Sequence, residues 1–171
     1  IVPVEDESYM VAGIDRWPVG AADEIHEPRL ERQLGVYRLC LPPAGRGAGD
    51  IPVVRFPKWA SCPTCRRLAE HDFFCGKYEN KCNRCDAKLV PSRFIAACKN
   101  GHVQDFPYFE WLHAGRERST GVRHDMSIKT AGVSASLRDV VLGCSCGVPE
   151  RTMDGAFAER ALREIARCRG D

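Results

Sequence analysis

Two short cysteine motifs, Cys62-Pro-Thr-Cys65 and Cys82-Asn-Arg-Cys85, lie sixteen residues apart in the middle of the chain. A two-residue spacer lets one tight turn direct two sulfurs at the same point, and two such turns at this separation form the four-sulfur cage of a structural zinc ion. The spacing therefore predicts a zinc-ribbon-like module in which Cys62, Cys65, Cys82 and Cys85 are the ligands. Cys75 lies between the pairs and is interpreted as a small buried apolar residue.

The composition favours small modules over one large apolar core. The 171 residues include 15 glycines, 11 prolines and 10 cysteines. We expect an α+β, loop-rich chain with short strands, reduced thiols and a cytoplasmic location, because no apolar run of about 18 residues and no leader-like segment is present. The chain begins at Ile1 without an initiator Met, which indicates a piece of a longer protein.

Local signals divide the chain into three predicted regions: a lead-in over 1–50, the zinc-ribbon-like module over 51–97, and a second metal-linked segment over 98–171. In the first, proline at position 28 and Gly35 bracket a predicted helix over 28–34. In the third, Asp105 is predicted to cap a helical turn over 106–113. A C-terminal amphipathic helix is predicted after Asp154, with its apolar stripe at Phe157, Ala158, Ala161, Leu162 and Ile165.

A second metal site is predicted from more widely separated residues. Cys98, His102, Cys144 and Cys146 together supply three sulfurs and one imidazole, which is a normal structural zinc set. His113 is an alternative to His102, and both histidines are also compatible with ordinary polar positions near a core. A nucleophile and base pair at Cys98 and His102 is a further alternative, but nothing nearby supplies an oxyanion hole or an orienting acid.

The basic middle of the chain raises a nucleic-acid alternative. Residues 51–100 contain ten Lys and Arg against four Asp and Glu. A zinc ion with four thiolates carries a charge of −2, so these cations also suit neutralisation of the site. The aromatic residues at 106, 108, 109 and 111 suit base stacking or a local core. The candidate DNA-binding residues are Arg66, Arg67, Lys77, Lys81, Arg84 and Lys88.

A thiol redox function is another alternative, because residues 59–65 look like the active-site turn of thioredoxin-like proteins. Those turns begin a helix in a βαβ unit. Here proline and basic residues flank the motif and a second CxxC follows, which favours metal binding. The chain also lacks a phosphate-binding loop, a dinucleotide fingerprint and an HExxH motif. We therefore predict a protein region that is not an enzyme.

Several longer strings resemble one known family. Residues 55–59 (RFPKW) before the first knuckle, 89–98 (LVPSRFIAAC), 101–107 (GHVQDFP) and 144–147 (CSCG) are similar to DrmB, a component of the DISARM anti-phage restriction systems. Residues 12–17 (AGIDRW) and 27–30 (EPRL) resemble the family's lead-in. Family members often carry another cysteine between the GH and CxC motifs, where this chain has only His113 and His124. Cys168 resembles the start of a further cysteine motif and is expected to be unpaired here.

The resemblance implies a noncatalytic, zinc-stabilised region of a DISARM-type defence subunit. In that family the subunit acts with a helicase-like ATPase partner, DrmA, on foreign DNA. We thus predict zinc as the cofactor, the DrmA-like subunit as the partner, DNA as a possible contact and no membrane association. The alternatives from the residues alone are a sequence-independent DNA-binding zinc ribbon and a thiol redox protein.

Overall fold

A computed structural model describes residues 1–4, 7–18, 24–43, 50–77, 79–116, 121–132 and 136–168. The chain forms two compact units, Ile1–Phe56 and Pro57–Asp171. The sequence predicts a boundary after residue 50, and the structure divides the chain after Phe56. The division predicted after residue 97 falls inside a β-hairpin of the second unit. Among the described residues, no helix has the length and apolar character needed to cross a bilayer.

The first unit is built on a small antiparallel sheet. Strand β1 (Val2–Val4) pairs with β2 (Glu7–Val11). The order of strands in this sheet places β5 (Val53–Arg55) on the other side of β2. A separate pair consists of β3 (Glu24–Ile25) and β4 (Leu39–Cys40).

Helix α1 of this unit, Pro28–Leu34, coincides with the predicted helix. The Glu27 carboxylate accepts a hydrogen bond from the backbone N–H of Arg29 at 3.3 Å, and proline occupies the first turn. Gly35 ends the helix with a φ of 66°, in the left-handed region that glycine enters without a Cβ clash. Leu30 and Leu34 of this helix are both exposed.

The second unit is organised around a six-stranded antiparallel sheet. Its strands are β6 (Trp59–Ser61), β7 (Arg67–Glu70), β8 (Val90–Pro91), β11 (Met126–Thr130), β12 (Val140–Cys144) and β13 (Arg151–Thr152). They lie in the order β13-β12-β11-β7-β6-β8. A hairpin of β9 (Ile95–Ala97) and β10 (Val103–Asp105) and the short helix α2 (Tyr108–Leu112) complete the unit.

Helix α2 supplies much of the core of the second unit. Its aromatic side chains pack with Phe106 beside Leu142 and Met153, which are fully buried. The aromatic group therefore forms core and does not present rings for stacking on bases. Asp105 does not cap this helix. Its carboxylate instead accepts from the backbone N–H groups of Lys58 and Trp59, at 2.8 and 3.3 Å.

The predicted C-terminal helix is not confirmed. Residues 154–165 form successive turns, and most of their backbone hydrogen bonds join a residue to the third one before it. The apolar stripe still has a function, because Ala161, Leu162 and Ile165 pack against the core. Gly155, with a φ of 75°, lies in the left-handed region near the start of this segment. The α+β, loop-rich class with small sheets and few helices is confirmed in the described residues.

Candidate metal centres

The two predicted cysteine knuckles come together in one cage. One sulfur from each of Cys62, Cys65, Cys82 and Cys85 lies within 4.8 Å of the others. The first knuckle joins β6 to β7. The second is closed by a single bridge between Lys81 and Lys88. This arrangement of two paired turns is that of a zinc-ribbon-like module.

The two turns have the same backbone construction. In the first, the N–H of Arg66 bonds to the carbonyl of Cys62, and in the second the N–H of Asp86 bonds to that of Cys82, each at 2.9 Å. Arg66 and Asp86 have φ angles of 64° and 54°, where non-glycine residues are uncommon. Both turns place a non-glycine residue in the left-handed region directly after the second cysteine. Closure of the turn therefore outweighs the backbone preference of that residue.

The sulfur positions fit a tetrahedral ion better than a disulfide. The Sγ atoms of Cys65 and Cys82 are 3.8 Å apart. Two thiolates at a zinc–sulfur distance of about 2.3 Å and a tetrahedral angle lie about 3.8 Å apart, whereas a disulfide requires about 2.05 Å. All ten cysteines are free thiols. The donor set of four sulfurs suits a soft or borderline ion such as zinc.

Electrostatics within the cage also favour a cation. Burial raises the pKa of Cys82, but hydrogen bonds from the backbone N–H groups of Arg84 and Cys85 act in the opposite direction. The net result is a pKa lowered to about 7. Burial and the hydrogen bonds with Cys65 and Cys82 raise the pKa of Cys85 to about 12. Thiols this close cannot all ionise unless a positive charge compensates them. A divalent ion in the cage would remove that conflict.

The structure divides the predicted second group between two clusters. Cys144 and Cys146 lie with His113 and His124, and the four ligand atoms are within 4.8 Å of one another. His113 follows α2, and His124 precedes β11. Because β11 pairs with β12 through Met126 and Cys144, His124 is brought to the turn that carries Cys146. Cys98 and His102 flank the β9–β10 turn and are not members of this group.

Distances in the second group fit mixed nitrogen and sulfur ligands. His113 Nε2 is 3.4 Å from Cys146 Sγ, and His124 Nδ1 is 3.5 Å from Cys144 Sγ. Tetrahedral zinc with bonds of about 2.3 Å to sulfur and about 2.0 Å to nitrogen gives a separation of about 3.5 Å. Burial raises the pKa of Cys144, although backbone N–H groups oppose it. A cation at this site would favour the thiolate form of Cys144 against the effect of burial.

The environment of His113 presents one nitrogen for metal binding. Its Nδ1 lies 2.8 Å from the carbonyl oxygen of Phe109, to which it donates as a protonated nitrogen. That bond leaves the lone pair on Nε2, which faces the sulfur of Cys146. The ring stacks on Phe109 with centroids 4.0 Å apart. His124 Nε2 is buried with no hydrogen-bond partner among the described residues.

His113 and His124 are the ligand candidates on which the spacing was least informative. His113 was predicted only as an alternative, and His124 was noted only as a residue between the GH and CxC motifs. The signal in the sequence is that both histidines lie between the GH and CxC motifs, where the resemblance to DrmB implies a further cysteine. Sequence spacing could not show that β11 returns His124 to the end of α2.

The remaining predicted ligands form a third group. Cys98 and His102 lie with Cys168, and the ligand atoms are within 4.8 Å of one another. The N–H of Asn100 donates to Cys98 Sγ at 3.3 Å and lowers the pKa of this thiol, although burial opposes the shift. Cys168 was expected to be unpaired, but its Sγ is 3.4 Å from His102 Nδ1.

The candidate DNA-binding residues are divided by burial. Arg67 is only 8% exposed, and its guanidinium lies over the rings of Phe73 and Phe74 and 3.6 Å from Asp125. The Arg67 guanidinium thus contacts neighbouring protein groups and is not presented at the surface where a phosphate backbone would lie. The other candidates are exposed: Arg66, Lys77, Lys81, Arg84 and Lys88. Among these, Lys81 lies 3.2 Å from Asp86, and Arg84 lies 4.0 Å from Asp125.

The surroundings of Cys62 and Cys65 differ from a thioredoxin-like site. The motif connects two antiparallel strands, β6 and β7, instead of opening a helix. Cys75 stands outside the sulfur cage, with its Sγ 3.6 Å from His71 Nε2 and 3.3 Å from the carbonyl oxygen of Glu79. It packs at the edge of the small core around the first cage.

Comparison with known proteins places these features in a family context. A family model described as a domain of unknown function (DUF8724) matches residues 1–171. The chain is also similar to the DISARM protein DrmB of Bacillus paralicheniformis, with 27% identity over 129 residues. That match covers 71% of this chain and 22% of the relative, so the chain spans about a fifth of the relative's length. The resemblance to DrmB is thereby confirmed.

Proposed function

The chain belongs to the DUF8724 family, and from its cysteine groups and its similarity to DrmB we propose that it is a noncatalytic, zinc-stabilised region of a DISARM-type defence subunit. This region acts with a helicase-like ATPase partner on foreign DNA. The observation that carries the proposal is the four-sulfur cage of two equivalent turns in a chain similar to DrmB. The cage joins the turn between β6 and β7 to the turn closed by Lys81 and Lys88, and it supplies four protein ligands, which is typical of a structural site.

The second group supports a structural function as well. His113, His124, Cys144 and Cys146 complete four ligands from protein alone, and such closed sets leave no coordination position for a substrate. An ion here would fix the end of α2 against the β11–β12 pair. Zinc binding would thus hold together elements that are distant in sequence and would shape a surface for a partner subunit.

The test joins metal content to partner binding. We expect elemental analysis of the purified chain to find zinc, and we expect Cys82→Ser to remove the ion of the first cage and with it co-purification with a DrmA-like helicase subunit. Cys40→Ser is the matched control, because Cys40 is exposed and lies outside the three groups. A metal-free chain that still bound the helicase subunit would contradict the proposal.

A second candidate function is sequence-independent DNA binding by the first module. It is favoured by the exposed cations that surround the two knuckles. Phosphate contacts of this kind weaken steeply as salt increases, because bound counterions are released.

Charge reversal tests that second function directly. Arg66→Glu with Lys77→Glu should weaken binding of duplex DNA and flatten its salt dependence. Arg160→Glu with Arg163→Glu, an equal charge change at exposed residues of the C-terminal turns, should have a smaller effect. Equal losses in the two double variants would reject a specific DNA surface on the first module.

A further inference from the structure

The turn between β9 and β10 holds two potential ligands in fixed relation. Cys98 precedes the turn and His102 ends it, and the N–H of Cys98 bonds to the carbonyl of His102 at 3.0 Å. Gly101 has a φ of 84°, which allows the tight return of the chain. His102 Nδ1 consequently lies 3.5 Å from Cys98 Sγ.

Cys168 reaches this turn because the preceding segment is packed in place. Leu162 and Ile165 contact the main core. Close to Cys168, the side-chain amide of Gln104 donates to the carbonyl of Arg167 at 3.4 Å. The approach of Cys168 to His102 is thus set by packing and by a neighbouring hydrogen bond, and it does not depend on the cysteine alone.

We propose that Cys98, His102 and Cys168 bind a third metal ion of the zinc class. Two thiolates and one imidazole are soft and borderline donors, which favour zinc or cobalt over magnesium or calcium. The ion would anchor the C-terminal turns to the β9–β10 hairpin. This site is additional to the two closed groups of the proposed function.

The positions around His102 are those of ligands sharing an ion. Both sulfurs face the same nitrogen, Nδ1, at 3.5 and 3.4 Å. An N–H at Nδ1 could donate with good geometry to only one of these sulfurs. A sulfur and a nitrogen bound to one tetrahedral zinc lie about 3.5 Å apart, which fits both distances. The N–H of Asn100 also donates to Cys98 Sγ at 3.3 Å, as that of Cys65 does to Cys62 Sγ at 3.4 Å in the first cage.

The third group differs from the other two in its exposure. Within the part of the chain that the structure describes, it has three candidate ligands, and Cys168 among them is exposed.

Cobalt titration of the reduced, metal-free chain tests this inference. Thiolate-bound Co2+ absorbs strongly, so the saturation point counts the ions. We expect three equivalents for the unaltered chain and for Cys40→Ser, and two for Cys168→Ser and for His102→Gln.

The outcomes separate this inference from the proposed function. Saturation of the unaltered chain at two equivalents, with no change in Cys168→Ser, would overturn the third site and leave the two closed groups intact. No bound cobalt at all would overturn both. Since Cys168 is exposed, near-ultraviolet circular dichroism should show that its serine variant keeps the native packing.

Discussion

Replacement of Cys82 by Ser is expected to unfold the first metal module while the main core persists. The small core beside this cage consists of Ala60, Cys62, Phe74, Cys82 and Leu89, so two of its buried members are themselves candidate ligands. Phe74 and Leu89 are 1% and 3% exposed. Burial of each contributes about 1.5–3 kcal/mol.

A metal ion in the first cage would contribute more to stability than these two apolar side chains. A structural zinc ion supplies about 10–16 kcal/mol of apparent binding free energy at neutral pH, and a whole small domain is stable by only about 5–15 kcal/mol. Loss of one of four ligands therefore removes more than the apolar contacts of Phe74 and Leu89 can replace. The segment should unfold locally, since the core around Leu142 lies outside this cluster.

Hydrogen exchange with metal analysis provides the assay. In Cys82→Ser we expect one fewer ion and fast exchange at the N–H groups of Cys62 and Leu89, which are hydrogen-bonded in the unaltered chain. The N–H of Met153, bonded to the carbonyl of Val140, should remain slow. Cys40→Ser should match the unaltered chain. Slow exchange through residues 62–89 in Cys82→Ser would refute the argument that metal, and not apolar burial, holds this module.

Further expectations concern the core and the titration of two groups. Leu142→Ala should lower the free energy of unfolding by about 2–5 kcal/mol in denaturant titrations, because Leu142 is fully buried; a loss below about 1 kcal/mol would contradict its core position. Burial raises the pKa of Tyr108 to about 12, although a hydrogen bond with Ser92 opposes the shift. The stability that the buried neutral phenol contributes is therefore complete below about pH 10, and it is lost as the pH rises toward 12 because the unfolded chain ionises first. Ultraviolet titration should show one tyrosine that ionises at a higher pH than the others, and Tyr108→Phe should remove that transition. Metal affinity should fall as the pH decreases, because Cys85, with its pKa raised to about 12, must release a proton to bind; calorimetry in buffers of different ionisation enthalpy should detect that proton.

Local signals were sufficient for the features that form from neighbouring residues. Helix α1 follows from a proline in its first turn and Gly35 just past its end, and both requirements are backbone effects within a few residues. The first cage follows from two identical turns that each place two sulfurs at one point. In these cases, the sequence separation is short enough that the spacing alone determines the geometry.

The later groups depend on strand pairing that spacing does not reveal. Between Cys98 and Cys168 the chain passes through α2, β11 and β12, and the cysteines and histidines of this region admit several ligand sets. Register between β11 and β12 decides that His124 joins Cys144. The C-terminal helix was predicted from an apolar stripe at helical spacing. Packing of Leu162 and Ile165 satisfies that stripe in a chain of turns.

The three groups differ in how much buried apolar core lies beside them, so an ion would stabilise each part of the chain to a different extent. The second group adjoins the main core through the stacking of His113 on Phe109, so an ion there would add to a structure that apolar burial already supports. The first cage has only a small core beside it, and an ion there would supply most of the order of its module. The third group includes exposed Cys168 and would add a tether between two surface segments. Dependence on metal should accordingly be greater in the first module than around the second group. The first module is also the one that carries the exposed cations.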